Sequence, residues 1–239
     1  MDILLFDIDG TLTRSYGAGR RAFDKVFARL YQLKEASEGL EFAGKTDPLI
    51  IREIFRKCLD ADPTENEMTR VKKAYLAVIE NDVRTTAPYK AIDGILELLN
   101  ILAKLPHILL GLATGNFRES AFLKLESAGL RKFFTFGGFG SDSAIRAELT
   151  RVGIDRGKKL IPAGRTFEKA YVIGDTPQDV DAGKKSGAVT IAMMTGTTRQ
   201  EDFMKHKPDH ILSGYHPAQP FLQIIEEALC RKNHPASSY

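Results

Sequence analysis

Four short apolar runs punctuate the chain, at residues 3–6, 108–113, 171–173 and 189–194. Each is rich in Leu or β-branched residues and bounded by Gly, Pro or polar residues, the pattern of buried strands in a parallel sheet. Between them, apolar residues recur at helical spacing. Over 94–105, Ile95, Leu98, Leu99 and Leu102 share a face. Over 118–129, Ala121, Phe122 and Leu125 do the same, with Gly129 placed to end the helix. A further strand is expected at 133–136, ahead of a glycine-rich loop at 137–143. Strands alternating with helices predict an α/β fold, a Rossmann-like, doubly wound parallel sheet.

Between residues 15 and 86 the alternation stops and only helical periodicity remains. Ala22, Phe23, Val26, Phe27 and Leu30 form one stripe; Leu49, Ile50, Ile54 and Phe55 a second; Val71, Tyr75, Val78 and Ile79 a third. This predicts an α-helical cap domain over 15–86, inserted into an α/β core made of 1–14 and 87–239. Thr85-Thr86-Ala87-Pro88 would be the return hinge. The polar stretch 232–239, with Pro235, is expected to fray.

Composition changes this picture little. The chain has 239 residues, with 34 basic and 31 acidic ones and a formal net charge of +3. The charges are scattered, and the densest basic patch, 156–159, holds only three cations, so no nucleic-acid stripe is expected. Cys58 and Cys230 lie far apart without metal-ligand spacing, which suits a reducing compartment. The opening MDILLFDIDG is broken by carboxylates and reads as neither a signal peptide nor a membrane span. The expectation is a cytoplasmic protein with no membrane partner; oligomeric state is not legible.

Candidate chemistry sits where the apolar runs end. The first run leads into Asp7-Ile8-Asp9-Gly10-Thr11-Leu12-Thr13, with two carboxylates on one side of an extended strand. Crowded carboxylates repel unless a cation or proton lies between them. The second run ends in Thr114-Gly115-Asn116 before a helix, a hydroxyl and free amides suited to an anion. Asn116 could equally cap that helix, with Glu119 three residues on as its partner. The third run ends in Gly174-Asp175 with Asp179 one turn later, a pair that either faces one point or caps a helix. Ligands in open α/β sheets bind beyond the carboxyl ends of the strands. Three independent caps at those ends are a weaker explanation than one metal–phosphate site.

These motifs resemble those of the haloacid-dehalogenase superfamily. Asp7 through Thr13 is similar to its DxDGTLT motif, Leu112-Ala113-Thr114-Gly115-Asn116 to its second motif, and Gly174-Asp175 through Asp179 to its GDxxxD motif. The helical insert stands where the superfamily's type 1 caps are placed. Within it, Gly44-Lys45-Thr46-Asp47 resembles the cap loop of phosphoglycolate-phosphatase-like members, although a plain polar turn before a helix would look the same. The resemblance implies that Asp7 is the nucleophile forming an aspartyl-phosphate and Asp9 the general acid and base. It implies Mg²⁺ held by Asp7, the Asp9 carbonyl and Asp175, with Asp179 in or next to that set. Thr114 and the amides of Gly115 and Asn116 would bind the phosphoryl group. Thr11, Lys45 and Thr46 would complete the substrate-binding set.

The third motif departs from the family pattern, which supplies a Lys ahead of the fourth motif's strand. Here the first cation at a helix start is Arg146, favoured over Lys158 and Lys159, which come later in that helix. His206 and His210 are separated by Pro208 and suit a surface or strand edge better than a metal site. The expected activity is hydrolysis of a phosphate monoester on a small metabolite. A sugar-phosphate phosphomutase and a non-catalytic binding protein on the same fold remain open alternatives.

Overall fold

The computed structural model describes residues 1–86 and 88–233. Ala87 in the expected hinge, residues 234–239 of the expected tail and the side chain of Cys230 lie outside what is described. Helix α9 (Gln219–Asn233) runs into the stretch expected to fray.

Six strands form one sheet: β1 (Asp2–Phe6), β4 (Ile108–Thr114), β5 (Gly137–Phe139), β6 (Ala170–Gly174), β7 (Val189–Met193) and β8 (His210–Leu212). Their spatial order is β5-β4-β1-β6-β7-β8, and every pairing is parallel. A two-residue pair, β2 (Thr13–Arg14) and β3 (Lys90–Ala91), stands apart and frames the insert. The chain leaves β1 toward β4 on one side and leaves β6 toward β7 on the other, so a crevice opens beyond the ends of β1 and β6.

Strand β1 is buried on both faces, and its alternation divides the core. Leu4 and Phe6 join helices α4 (Ile95–Leu102) and α5 (Arg118–Ser127) together with Phe221 and Ile225 of α9. Ile3 and Leu5 face the other way, onto Leu149 and Ile154 of α6 (Arg146–Lys158). Helices on both faces give the doubly wound α/β fold expected from the periodicity. Helix α7 (Pro177–Lys185) follows β6, and α8 (Gln200–His206) precedes the edge strand β8 that carries His210.

The insert's helices α1 (Ala18–Tyr31), α2 (Asp47–Leu59) and α3 (Glu65–Thr85) share an apolar cluster that also takes in Tyr89 and Phe117 from outside the insert. The stripes face one another there, with Ile51 rather than the expected Leu49 joining Ile50, Ile54 and Phe55; Phe23 stacks on Tyr75 with ring centroids 4.2 Å apart. Thr64 and Glu67 form a reciprocal capping box at the start of α3.

The strand expected at 133–136 lies elsewhere. Residues Arg131–Phe133 form a short 3₁₀ turn, and the strand is the glycine pair and the aromatic that follow. Steric clearance explains the shift. A Cβ on Gly138 would stand 1.7 Å from the Leu149 carbonyl oxygen of α6, so only glycine admits the helix this close. Of the aromatics read as strand residues, Phe134 is buried in the core on one face of the sheet and Phe136 in the core on the other.

Candidate active site

Asp7 directly follows β1, and its amide donates to the Ile173 carbonyl at 2.9 Å, so two adjacent parallel strands fix it. Asp175 follows β6 and accepts the Thr11 hydroxyl at 2.8 Å. Asp179 lies one turn into α7, where it completes a capping box: its Oδ2 accepts the Thr176 hydroxyl at 2.6 Å. Oxygens of Asp7, Asp175 and Asp179 come within 4.8 Å of one another, and all three side chains are buried. Arg146, at the first turn of α6, places Nη2 2.9 Å from Asp7 Oδ2 and 2.6 Å from Asp179 Oδ1. Its Nη1 donates to the Gly44 carbonyl of the insert at 3.3 Å.

This cluster carries more negative charge than the protein itself balances. Three carboxylates face one guanidinium. Burial pushes the Asp7 carboxyl up to about 6 against the opposing pull of Arg146, with Asp179 and Asp9 adding to the rise. Burial, then Asp7 and Asp179, drives Asp175 well above the ordinary range. An all-oxygen set short of two positive charges suits a hard divalent cation.

Asp9 belongs to a second network. Its Oδ2 accepts Lys124 Nζ at 2.6 Å and Asn116 Nδ2 at 2.8 Å. Lys124 also donates to Asn116 Oδ1, and its ammonium lies 5.3 Å from the Tyr89 ring centroid. The Lys124 side chain is only 4 % exposed and that of Asp9 37 % exposed, and both line the cavity, Asp9 as the more open of the two. Burial alone would lower the Lys124 ammonium, but Asp9, Tyr89 and Asp47 hold it above its ordinary value.

Asp47 brings the insert onto the core. Its carboxylate accepts the Phe117 amide at 2.8 Å, and its own amide donates to the Gly115 carbonyl at 2.7 Å. A Cβ on Gly115 would lie 2.2 Å from the Lys45 carbonyl oxygen, so glycine is what lets the loop dock. A cavity of about 280 Å³ remains between Asp7 and Asp9 on one side and Arg20, Phe23, Phe42, Ile50 and Tyr75 of the insert on the other.

A family model for haloacid dehalogenase-like hydrolases matches residues 1–187. The chain belongs to this family. The hydrolase is 28 % identical over 223 residues to the phosphoglycolate phosphatase of Aquifex aeolicus, spanning 89 % of this chain and 95 % of that one. It is 27 % identical over 219 residues to pyrophosphatase PpaX of Listeria welshimeri, spanning 87 % and 90 %. Among solved structures, CbbY from Rhodobacter sphaeroides in complex with phosphate superposes with a TM-score of 0.68 at 22 % identity, covering 90 % of this chain and 95 % of that one. At that identity the likeness shows the fold.

Most residues singled out from the hydrolase's sequence gather at this crevice, though several make other contacts than expected. Asn116 does not cap α5: the helix begins after Phe117 without a side-chain cap, and the Asn116 amide turns to Asp9 and Thr114. Glu119, its expected partner, pairs with Lys72 at 3.0 Å. The Thr46 hydroxyl caps α2 by accepting the Leu49 amide and donates to the Ala144 carbonyl. Lys45 lines the cavity but is paired with Glu53 at 2.6 Å. Lys158 pairs with Asp155 on the same helix, and Lys159 is exposed at its end. Among the described residues no helix is long and apolar enough to cross a membrane.

Two residues of the site escaped the sequence reading. Lys124 stands in the inward stripe of α5, between Ala121 and Leu125, and a cation in an apolar stripe was the available signal. Asp47 was quoted in its motif and passed over for Lys45 and Thr46. Its place at the start of α2 gives a helix-favourable acid a second, less visible use.

Proposed function

We propose that this hydrolase cleaves phosphate monoesters of small metabolites through an aspartyl-phosphate on Asp7, with Mg²⁺ as its cation. The observation that carries the reading is the arrangement of the two aspartates. Asp7 is buried and braced by Arg146, while Asp9 stands at the cavity wall facing the insert.

In the first step an Asp7 carboxylate oxygen attacks phosphorus, and the bond from phosphorus to the ester oxygen breaks. Asp9 delivers its proton to that departing oxygen. In the second step Asp9 takes a proton from water, the water oxygen bonds to phosphorus, and the bond to Asp7 breaks to release inorganic phosphate. Arg146 keeps Asp7 fixed for attack, and Thr114 with the amides of Gly115 and Asn116 receives the phosphoryl oxygens. Asp7, the Asp9 carbonyl and Asp175 would hold Mg²⁺, with Asp179 orienting Arg146 beside them. When bound, the cation neutralises charge on the phosphoryl oxygens.

The cavity suits a small leaving group enclosed by the insert, and the phosphatase and pyrophosphatase names of the relatives agree with small anionic substrates. The insert, about 15–86, opens to admit substrate and closes through the loop at Asp47. The test is a panel of phosphorylated metabolites assayed with Mg²⁺ for free phosphate and, in parallel, for isomerised sugar phosphate. Phosphate release on at least one member supports the reading. Rapid isomer formation with almost no free phosphate would assign a phosphomutase, and no turnover on any member would reject both.

A further inference from the structure

We infer that Lys124 is a positioning residue that aims the Asp9 carboxyl at the leaving-group oxygen. The inference rests on Asp9 being the proton donor of the proposed reaction. Asp9 lies in the turn after β1, a segment free to rotate its side chain toward bulk cavity, toward Asp7 or toward the insert. Two donors remove that freedom: Lys124 Nζ at 2.6 Å and Asn116 Nδ2 at 2.8 Å, both on Oδ2. With Oδ2 tied by both donors, Oδ1 is the oxygen presented to the cavity.

Lys124 is itself fixed. Its ammonium donates to Asn116 Oδ1, which turns the Asn116 amide so that its NH₂ faces Asp9. Around it are the Tyr89 ring and the start of α1, where a Cβ on Gly19 would come 3.9 Å from Nζ and 3.8 Å from the Tyr75 hydroxyl. Lys124 stands in the cavity lining, and its two hydrogen bonds go to Asp9 and Asn116, which ties its position to theirs. A side chain buried this completely has no solvation to gain from ion pairing at a surface, so the pair fixes geometry.

Leaving-group chemistry separates this role from a purely structural one. A departing alkoxide needs its proton as the bond breaks, whereas 4-nitrophenolate departs readily without one. In Lys124→Met the loss of kcat on an alkyl phosphate should exceed the loss on 4-nitrophenyl phosphate by at least about tenfold, with KM nearly unchanged. Lys124→Arg, which keeps a donor, should recover part of the alkyl rate. Equal losses on both substrates, or a change confined to KM, would overturn the inference.

Removing one charge of a buried pair can unfold a protein, so a second arm uses the double variant Asp9→Asn/Lys124→Met, which removes both charges together, read against Asp9→Asn, with circular dichroism showing that each is folded. If Lys124 acts only through Asp9, the double variant should cleave 4-nitrophenyl phosphate as Asp9→Asn does; a further tenfold drop rejects the inference. Asp9→Asn alone is the control on the underlying reading. If it shows no greater loss on alkyl than on aryl phosphate, the assignment of Asp9 as proton donor fails first.

Discussion

The two aspartates of the first motif are two residues apart, yet the protein treats them in opposite ways. Asp7 sits in a cluster that is overcharged, with three buried carboxylates against one guanidinium. Asp9 sits opposite a buried ammonium, with one carboxylate of the insert, Asp47, close enough to act on the same cation. The first side is built to take up positive charge from outside. The second is built to hold one side chain still. In the proposed reaction this difference separates the group that would bond to phosphorus from the one that would pass protons.

The sharpest break would come from Asp7→Asn. We expect turnover to fall by at least about 10⁴-fold, with circular dichroism unchanged, because the nucleophile is lost and no bulk is added. A folded Asp7→Asn protein with full activity would remove the distinction altogether. Removal of the cation comes next: excess chelator should suppress hydrolysis by about 10³-fold, and Mg²⁺ should restore it. Ca²⁺, which accepts more ligands in looser geometry, should inhibit. Undiminished turnover in chelator would show that the charge deficit at Asp7 is balanced by protons alone.

Arg146→Met should lower kcat by about 10²–10³-fold, and Arg146→Lys should recover only part of it. A lysine carries the charge but not the planar fork that now spans Asp7 and Asp179. Docking of the insert is tested by Gly115→Ala, whose methyl would meet the Lys45 carbonyl. We expect a loss of about tenfold in kcat/KM, and a normal rate would mean that closure does not use this contact.

The smallest effect separates the two sides by pH. Burial raises Asp7 and Asp47 each to about 6, and also holds Asp175 well above its ordinary value. For each, the folded protein keeps a proton that the unfolded chain has already released. The stability these carboxyls contribute is therefore fully present below about pH 4 and is lost as pH rises through about 6. In chelator, Tm should increase by a few degrees or so from pH 7 to pH 5. Mg²⁺ should abolish the part due to Asp7 and Asp175 and leave the part due to Asp47, which Asp47→Asn then removes. A Tm that instead drops toward pH 5 in chelator would contradict the sign.

The same contrast explains what could be read from the sequence. Asp7, Asp175 and Thr114 terminate apolar runs, where strand ends and ligand sites coincide by topology, so linear order already placed them together. Arg146 could be proposed because it opens a helix. Lys124 and Asp47 depend on how a helix interior and an inserted loop meet, and no periodicity carries that information. The two readings left open for Asn116 could not be separated for a related reason: a capping residue and a side chain that turns away from the helix look the same until its partners are known. The shifted strand β5 shows the limit of hydrophobicity as a guide, since clearance rather than burial decided which residues pair with β4.

That clearance has a mechanical consequence for the nucleophile. Leu149, whose carbonyl crowds Gly138, is three residues along α6 from Arg146, so the helix that delivers the guanidinium is seated directly on the bare backbone of an edge strand. A methyl at position 138 could be accommodated only by lifting α6 off the sheet. The helix is rigid, so its first turn would travel with it and withdraw Arg146 from Asp7. An absent side chain on an edge strand thus acts as the spacer that sets the guanidinium in place beside Asp7.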